Sequence, residues 1–288
     1  MNRYDCIIVG SGPAGLEAAV NLSIRGKNFL LFGNENLSIK LETAPRIDNY
    51  LGFPGISGRE LQQRYREHLA SMNIPLRTEQ VNLVYPMGDY FSVATNKNTY
   101  QASTIILATG TSPAKLLPGE ERLLGRGVGY CATCDAPLYR NKTVAVVGWS
   151  NEAALEANFV AELAKKVYYL PVRKFSQTLR DNIQLITSPP VEILGEHQVE
   201  ALRTKTETIP VDGVFLLRDS IAPSALVPGI QVENGYIVVD ADMQTNLPGC
   251  FAAGDCTGKP HQLMRAAGQG QTAALAVTRY LDRKASEQ

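Results

Sequence analysis

Short apolar runs punctuated by glycine recur along the chain, and their spacing predicts a repeated strand, turn, helix, strand unit. Cys6-Ile7-Ile8-Val9 is an apolar run broken by Gly10; a helix-compatible stretch from Pro13 to Ile24 follows, then a second run, Phe29-Leu30-Leu31-Phe32. The same order returns at Thr143 to Val147, Gly148, Asn151 to Ala164 and Val167 to Leu170. Two βαβ units make this an α/β chain that repeats an architecture. Between them, Thr104 to Gly110 reads as a strand ending in a small-residue turn, and Ser112-Pro113 with Pro118-Gly119 reads as a linker. Later strand-like pieces are Gly213 to Leu217, Tyr236 to Asp240 and Gly249 to Asp255, and the apolar and small residues from Leu263 to Leu281 suit a closing helix.

Composition narrows the class. With 288 residues, 44% of them hydrophobic, the chain can bury a sizeable core and is expected to form two domains. Its 28 basic residues balance 28 acidic ones, so net charge gives no reason to expect nucleic acid or an anionic membrane as partner. Five cysteines in a chain of this length do not make a disulfide framework, which favours a reducing cytoplasm. The chain enters an apolar strand at Tyr4, with no charged and apolar leader and no run of about 18 apolar residues. Neither a signal peptide nor a membrane span is expected.

Gly10-Ser11-Gly12-Pro13-Ala14-Gly15 is a complete G-x-G-x-x-G between strand and helix. The pattern supplies a tight turn, close approach of backbone to a pyrophosphate and close helix packing, with a helix N-terminus facing the anion. The acid that usually binds ribose after the second strand is missing: Phe32 is followed by Gly33, Asn34 and only then Glu35. That weakens a nicotinamide assignment and favours FAD once the Gly254-Asp255 signature is added.

Cys131-Ala132-Thr133-Cys134-Asp135 suits reversible dithiol/disulfide chemistry with an acid at hand for protons. A zinc site is the competing assignment, but no second Cys-x-x-Cys exists and the histidines are only His68, His197 and His261. Cys6, Cys250 and Cys256 lie in or beside apolar segments and read as small buried side chains.

Gly10 to Gly15, Ala108-Thr109-Gly110, Cys131 to Asp135 and Ala253-Gly254-Asp255, in this order and spacing, resemble the low-molecular-weight thioredoxin reductase family over essentially the whole chain. The resemblance implies two Rossmann-like three-layer domains: an FAD-binding domain of residues 1–113 and 236–288, and an inserted domain, 114–235, that carries the redox disulfide and normally binds NADPH. It implies that Asp255 holds the ribityl chain, that Asn49 sits near the isoalloxazine and that Gln262 contacts the pyrimidine edge. Gly33, Asn34, Glu35, Leu41, Val81, Ala108, Thr109, Gly110, Gly254 and His261 would complete the flavin site beside the Gly10–Gly15 loop. Cys134 would face the flavin, Cys131 would exchange with the partner disulfide, and Asp135 would be the general acid/base. A disulfide close to a buried flavin cannot also meet a protein partner, so something must move; Ser112 to Gly119 and Asn234 to Tyr236 are the expected hinges.

The pattern departs from the family at the nucleotide site. The second loop reads Gly148-Trp149-Ser150-Asn151-Glu152-Ala153, with Ser150 where a glycine would admit pyrophosphate. The usual His-Arg-Arg cluster is represented by Pro171-Val172-Arg173-Lys174, and the usual Gly-Gly-Gln-Leu near the flavin by Ser38-Ile39-Lys40-Leu41, which would bring Lys40 near the flavin. These departures resemble the ferredoxin-dependent flavin thioredoxin reductases, in which electrons pass from reduced ferredoxin through FAD to the disulfide and on to thioredoxin. A homodimer is a further expectation of the resemblance. Alternatives are a diflavin-linked or oxygen-using dithiol oxidase, an NADPH-dependent thioredoxin reductase with a divergent site, and a non-catalytic flavoprotein redox sensor.

Overall fold

The structure, a computed structural model, describes residues 3–111, 116–130, 132–149, 153–218 and 221–287, with only the backbone of Ile39, Thr133 and Cys134. The chain divides into two compact units, Met1–Ser112 with Leu226–Gln288, and Pro113–Ala225. Its return to the first unit therefore comes at Leu226 and not at 236. The reason is a β-hairpin of Val232–Glu233 and Tyr236–Ile237, whose turn places Asn234 at φ 51° and Gly235 at φ 82°. The expected hinge at Asn234 to Tyr236 is thus a hairpin turn inside the first unit. The other, Ser112 to Gly119, begins in 112–115, outside the described residues.

In the first unit, β1 (Arg3–Val9), β2 (Phe29–Phe32) and β3 (Leu76–Arg77) run parallel. An antiparallel meander follows, β4 (Val81–Pro86) and β5 (Phe91–Thr95), leading into β6 (Thr99–Leu107). Strand β6 pairs with β1 along one side; on the other it pairs with β5 over its first half and with Cys250–Ala252 over its second. Helix α1 (Pro13–Ile24) packs on the C-terminal helix Leu263–Ser286 through small residues. A methyl on Gly270 would stand 2.0 Å from the Ala14 carbonyl oxygen, so the two helices meet backbone to backbone. Buried Leu16, Leu22, Ile8, Phe251 and Val277 fill the core beside them, and this packing makes one unit of the chain's two ends.

Short α2 (Ile39–Glu42) and then α3 (Gly58–Ser71) follow β2. The start of α3 is encoded locally: Ser57 accepts from the Glu60 amide and Glu60 bonds back to the Ser57 amide, a capping box. The closing helix runs five residues past the expected Leu281, and the strand expected over Tyr236 to Asp240 shrinks to Tyr236–Ile237.

The second unit begins with α4 (Glu120–Leu123), β7 (Val128–Gly129) and α5 (Ala132–Asp135). The βαβ unit read from the sequence follows as β8 (Thr143–Gly148), α6 (Ala153–Leu163) and β9 (Lys166–Pro171). With β10 (Ile183–Leu185), β11 (Pro190–Leu194), β12 (Ala201–Thr204), β13 (Thr208–Pro210) and β14 (Gly213–Leu217), two sheets form. One is parallel, in the order β10-β9-β8-β14-β7, and the other is the antiparallel trio β11-β12-β13. Helix α7 (Pro223–Leu226) stands where the chain leaves the unit, before β15 (Val232–Glu233), β16 (Tyr236–Ile237), β17 (Cys250–Ala252) and α8 (Leu263–Ser286) of the first. Both units are α/β, as the apolar pattern requires, the first around a mixed sheet and the second around a parallel one. Among the described residues no helix is long and apolar enough to cross a membrane.

Candidate functional site

Three parallel strands of the first unit end in register, Val9 opposite Leu107 and Leu107 opposite Ala252. Their exit loops, Gly10–Gly12, Ala108–Thr111 and Ala253–Asp255, therefore lie side by side although far apart in sequence. This is the edge at which open α/β sheets take ligands.

The glycines of the first loop do different things. Gly10 has φ 120°, and a methyl there would stand 2.1 Å from the Ala108 carbonyl oxygen; one on Gly15 would stand 1.8 Å from the Gly10 carbonyl oxygen. Both are needed for the fold. A methyl on Gly12 would meet nothing within 4 Å. Gly12 is also the N-cap of α1, with no side-chain cap, no acid in the first turn and Pro13 at the start. A helix N-terminus with open space before a bare N-cap suits an anionic pyrophosphate. The residues present thus fit a dinucleotide.

Ser11 serves the loop itself: its Oγ donates to the Leu37 carbonyl at 2.8 Å and accepts from the Asn34 amide at 2.9 Å. The Gly33 amide bonds to the Arg77 carbonyl and Glu35 is exposed, its carbonyl accepting from Arg66. Leu41 is buried with Ile47 and Leu61, and Val81 is buried at the start of β4 opposite Thr95.

Two polar groupings complete the edge. Lys40 Nζ donates to Thr111 Oγ1 at 2.6 Å and pairs with Asp255 Oδ2 at 3.4 Å. Asp255 opens a 3-10 turn after Gly254, whose amide is held by Gln269. Asn49 Nδ2 donates to Gln262 Oε1 at 2.9 Å, and the Tyr236 hydroxyl lies 3.3 Å from His261 Nε2. Predicted residues from four separate stretches thus meet in pairs. Thr111 and Tyr236 were missed, since neither carries a motif.

Cys256 bonds weakly to the Leu107 and Ala253 carbonyls, and burial pushes its thiol up to about 11; Cys6 and Cys250 are pushed up to about 12. Thiols so hard to ionise are poor nucleophiles, in keeping with the packing role expected for all three.

In the second unit, Cys131 lies outside the described residues and Cys134 is described only as part of α5. Their flanks are well fixed: Tyr130, Ala132 and Ala136 are buried. Asp135 is half-buried, and burial pushes its carboxyl above the usual range. A methyl on Gly129 would stand 2.8 Å from Asp135 Oδ2, so glycine there leaves room for the carboxyl group. A carboxyl raised this way retains its proton closer to neutrality, which suits a proton donor beside a leaving sulfur.

The corresponding edge of this sheet carries a polar cluster among its described residues. Trp149 follows β8 and Arg218 follows β14; the guanidinium carbon lies 4.3 Å from the centre of the indole ring. Arg218 forks onto Glu120, Nη2 to Oε2 at 2.8 Å and Nη1 to Oε1, with side-chain exposures of 3% and 0%. Glu120 also accepts from the Leu117 amide at 2.8 Å and from the Tyr130 hydroxyl at 2.9 Å. Glu120, Tyr130, Trp149 and Arg218 were missed in the sequence, because nothing local marks an exposed-looking Gly-Glu-Glu-Arg as the source of a buried carboxylate. Ser150, read as the obstructing residue, lies outside the described residues; Pro171 ends β9 and Arg173 and Lys174 are exposed.

Residues 4–270 match the family described as pyridine nucleotide-disulphide oxidoreductase. A thioredoxin reductase of Ureaplasma parvum is 31% identical, the match covering 97% of this chain and 97% of that protein. Among solved structures, a ferredoxin-flavin thioredoxin reductase from Clostridium acetobutylicum is 52% identical over 98% of this chain and 99% of that one, with a TM-score of 0.85. An atypical thioredoxin reductase from Desulfovibrio vulgaris is 29% identical over 98% and 99%, with a TM-score of 0.71.

Proposed function

Because the chain belongs to the pyridine nucleotide-disulphide oxidoreductase family, we propose for it a defined route: electrons from reduced ferredoxin, through FAD in the first unit, to the Cys131/Cys134 disulfide and on to thioredoxin. It is a flavin-dependent thioredoxin-disulfide reductase. The observation that carries the choice of donor is the contrast between the two sheet edges. In the first unit Gly12 faces open space; in the second, Trp149, directly after β8, is stacked on Arg218, directly after β14. The likeness to the Clostridium enzyme supports the same choice.

Gly10 to Gly15 would hold the FAD pyrophosphate, Asp255 with Lys40 its polyol, and Asn49 with Gln262 its ring. Bound FAD supplies the exchange between single electrons and electron pairs. The chain's own residues handle sulfur and protons. When the disulfide gains two electrons and two protons, Cys131 and Cys134 become thiols, and Asp135 supplies a proton to the sulfur that leaves as thiolate. Cys131 then attacks the thioredoxin disulfide, and Cys134 resolves the mixed disulfide, returning two electrons and two protons to the partner.

Homodimerisation and a cytoplasmic setting belong to the same proposal. Phe53 lines a groove with Leu16 and Val20 of α1, Leu61 and Tyr65 of α3 and Ala267 of α8, rimmed by Glu17 and Arg64, and Leu51, two residues before Phe53 in the chain, is 86% exposed, a surface suited to a second copy. The test is anaerobic mixing of the FAD-loaded protein with NADPH or with reduced ferredoxin while flavin absorbance is followed. Ferredoxin should bleach the flavin; rapid stoichiometric bleaching by NADPH would sink the assignment.

A further inference from the structure

Glu120, Arg218 and Tyr130 form a buried polar cluster, flanked by half-buried Trp149, that the route above does not use, and its cost needs a reason. A carboxylate fully removed from water is retained only with its partners in place. Those partners come from three segments, Leu117 before α4, Tyr130 after β7 and Arg218 after β14, and Trp149 after β8 stacks on Arg218. The cluster sits at the carboxyl edge of the parallel sheet, and Tyr130 is the residue immediately before Cys131.

We propose that this edge has become a brace for the dithiol, in which Tyr130, clamped by Glu120 and Arg218, is a positioning residue for Cys131. The inference rests on Cys131 and Cys134 being the redox pair. Closing a disulfide across two intervening residues needs both sulfurs held near bonding geometry, and anchored flanks raise their effective concentration. The flank after Cys131 is fixed by buried Ala132 and Ala136 in packed elements. The flank before it has β7, only two residues long, and the Tyr130 hydroxyl. Removing that hydroxyl loosens one side alone.

The experiment equilibrates the FAD-loaded protein with glutathione. One glutathione disulfide takes two electrons and two protons from the Cys131 and Cys134 thiols, giving the protein disulfide and two glutathione thiols. Tyr130→Phe should lower the equilibrium constant for protein disulfide formation by about threefold or more, with about tenfold the ceiling set by one net hydrogen bond made only in the disulfide form. Arg218→Lys, which keeps the charge but gives up the fork, should shift it in the same direction. Circular dichroism and urea midpoints report folding separately, and a merely structural role would move those and leave the glutathione constant unchanged. A Tyr130→Phe constant within twofold of wild type in folded protein would overturn the brace alone. If oxidised wild type failed to lose two thiols, the dithiol assignment itself would fall, and the brace with it.

Discussion

Gly12→Ala places a methyl in open space at the N-cap of α1, where φ −75° and ψ 178° suit alanine as well as glycine. Alanine is a poorer N-cap by about 0.5–1 kcal/mol, while the stiffer unfolded chain returns about 0.4–1 kcal/mol. Apo-protein stability should therefore change by less than about 1 kcal/mol. The cofactor meets a different situation: a pyrophosphate drawn to the helix N-terminus has to approach bare backbone there. Losing two hydrogen bonds to its charged oxygens, at about 1.5–3 kcal/mol each, weakens FAD by about 3–6 kcal/mol, or about 10²- to 10⁴-fold in Kd. Gly15→Ala is the contrasting variant, since its methyl would lie 1.8 Å from a backbone oxygen and should cost the apo-protein about 3 kcal/mol or more. Calorimetric titration of deflavinated protein with FAD, alongside urea unfolding of the apo forms, separates the two. The reasoning fails if Gly12→Ala binds FAD within about threefold of wild type, or if it loses as much apo stability as Gly15→Ala.

Lys40→Met removes the cation paired with Asp255 and Thr111, which should make the flavin harder to reduce by about 1–2 kcal/mol, or ~20–45 mV for the two-electron couple, in spectroelectrochemical titration. Asp135→Asn should slow thioredoxin reduction about 10²-fold or more. The same variant has a stability signature with a defined sign. The carboxyl of Asp135 is raised by burial, so the unfolded chain ionises first and stability falls as pH rises from the ordinary carboxylate pKa to the native one. Asp135→Asn should therefore be the more stable protein at neutral pH, with the advantage vanishing below about pH 3.8 in urea titrations. Arg218→Met strands the Glu120 carboxylate and should cost about 3–5 kcal/mol in urea unfolding, whereas the double variant with Glu120→Gln should recover part of it.

Residues close in sequence carried much of the architecture. Alternation of short apolar runs with glycine turns located β1, α1, β2, β8 and β9, because strand and helix periodicity are local properties. The G-x-G-x-x-G motif, Gly254-Asp255 and Cys131-x-x-Cys134 were enough to place the family, since each is a short stretch with its own chemistry. The helix α3 was legible in principle from the Ser57 and Glu60 capping pair. The return to the first unit at Leu226 was not, because an exposed turn such as Asn234-Gly235 reads the same at a domain boundary and within a hairpin.

Only the tertiary structure decided what each motif residue does. Gly10 and Gly12 look equivalent in the motif, yet one abuts Ala108, nearly a hundred positions away, and the other faces open space. Lys40 meets Asp255 because parallel strands in register end together, and Glu120 meets Arg218 because β14 lies between β8 and β7. Strand order and register are set by the burial of whole faces at once, a property of the assembled sheet that no stretch of sequence holds alone.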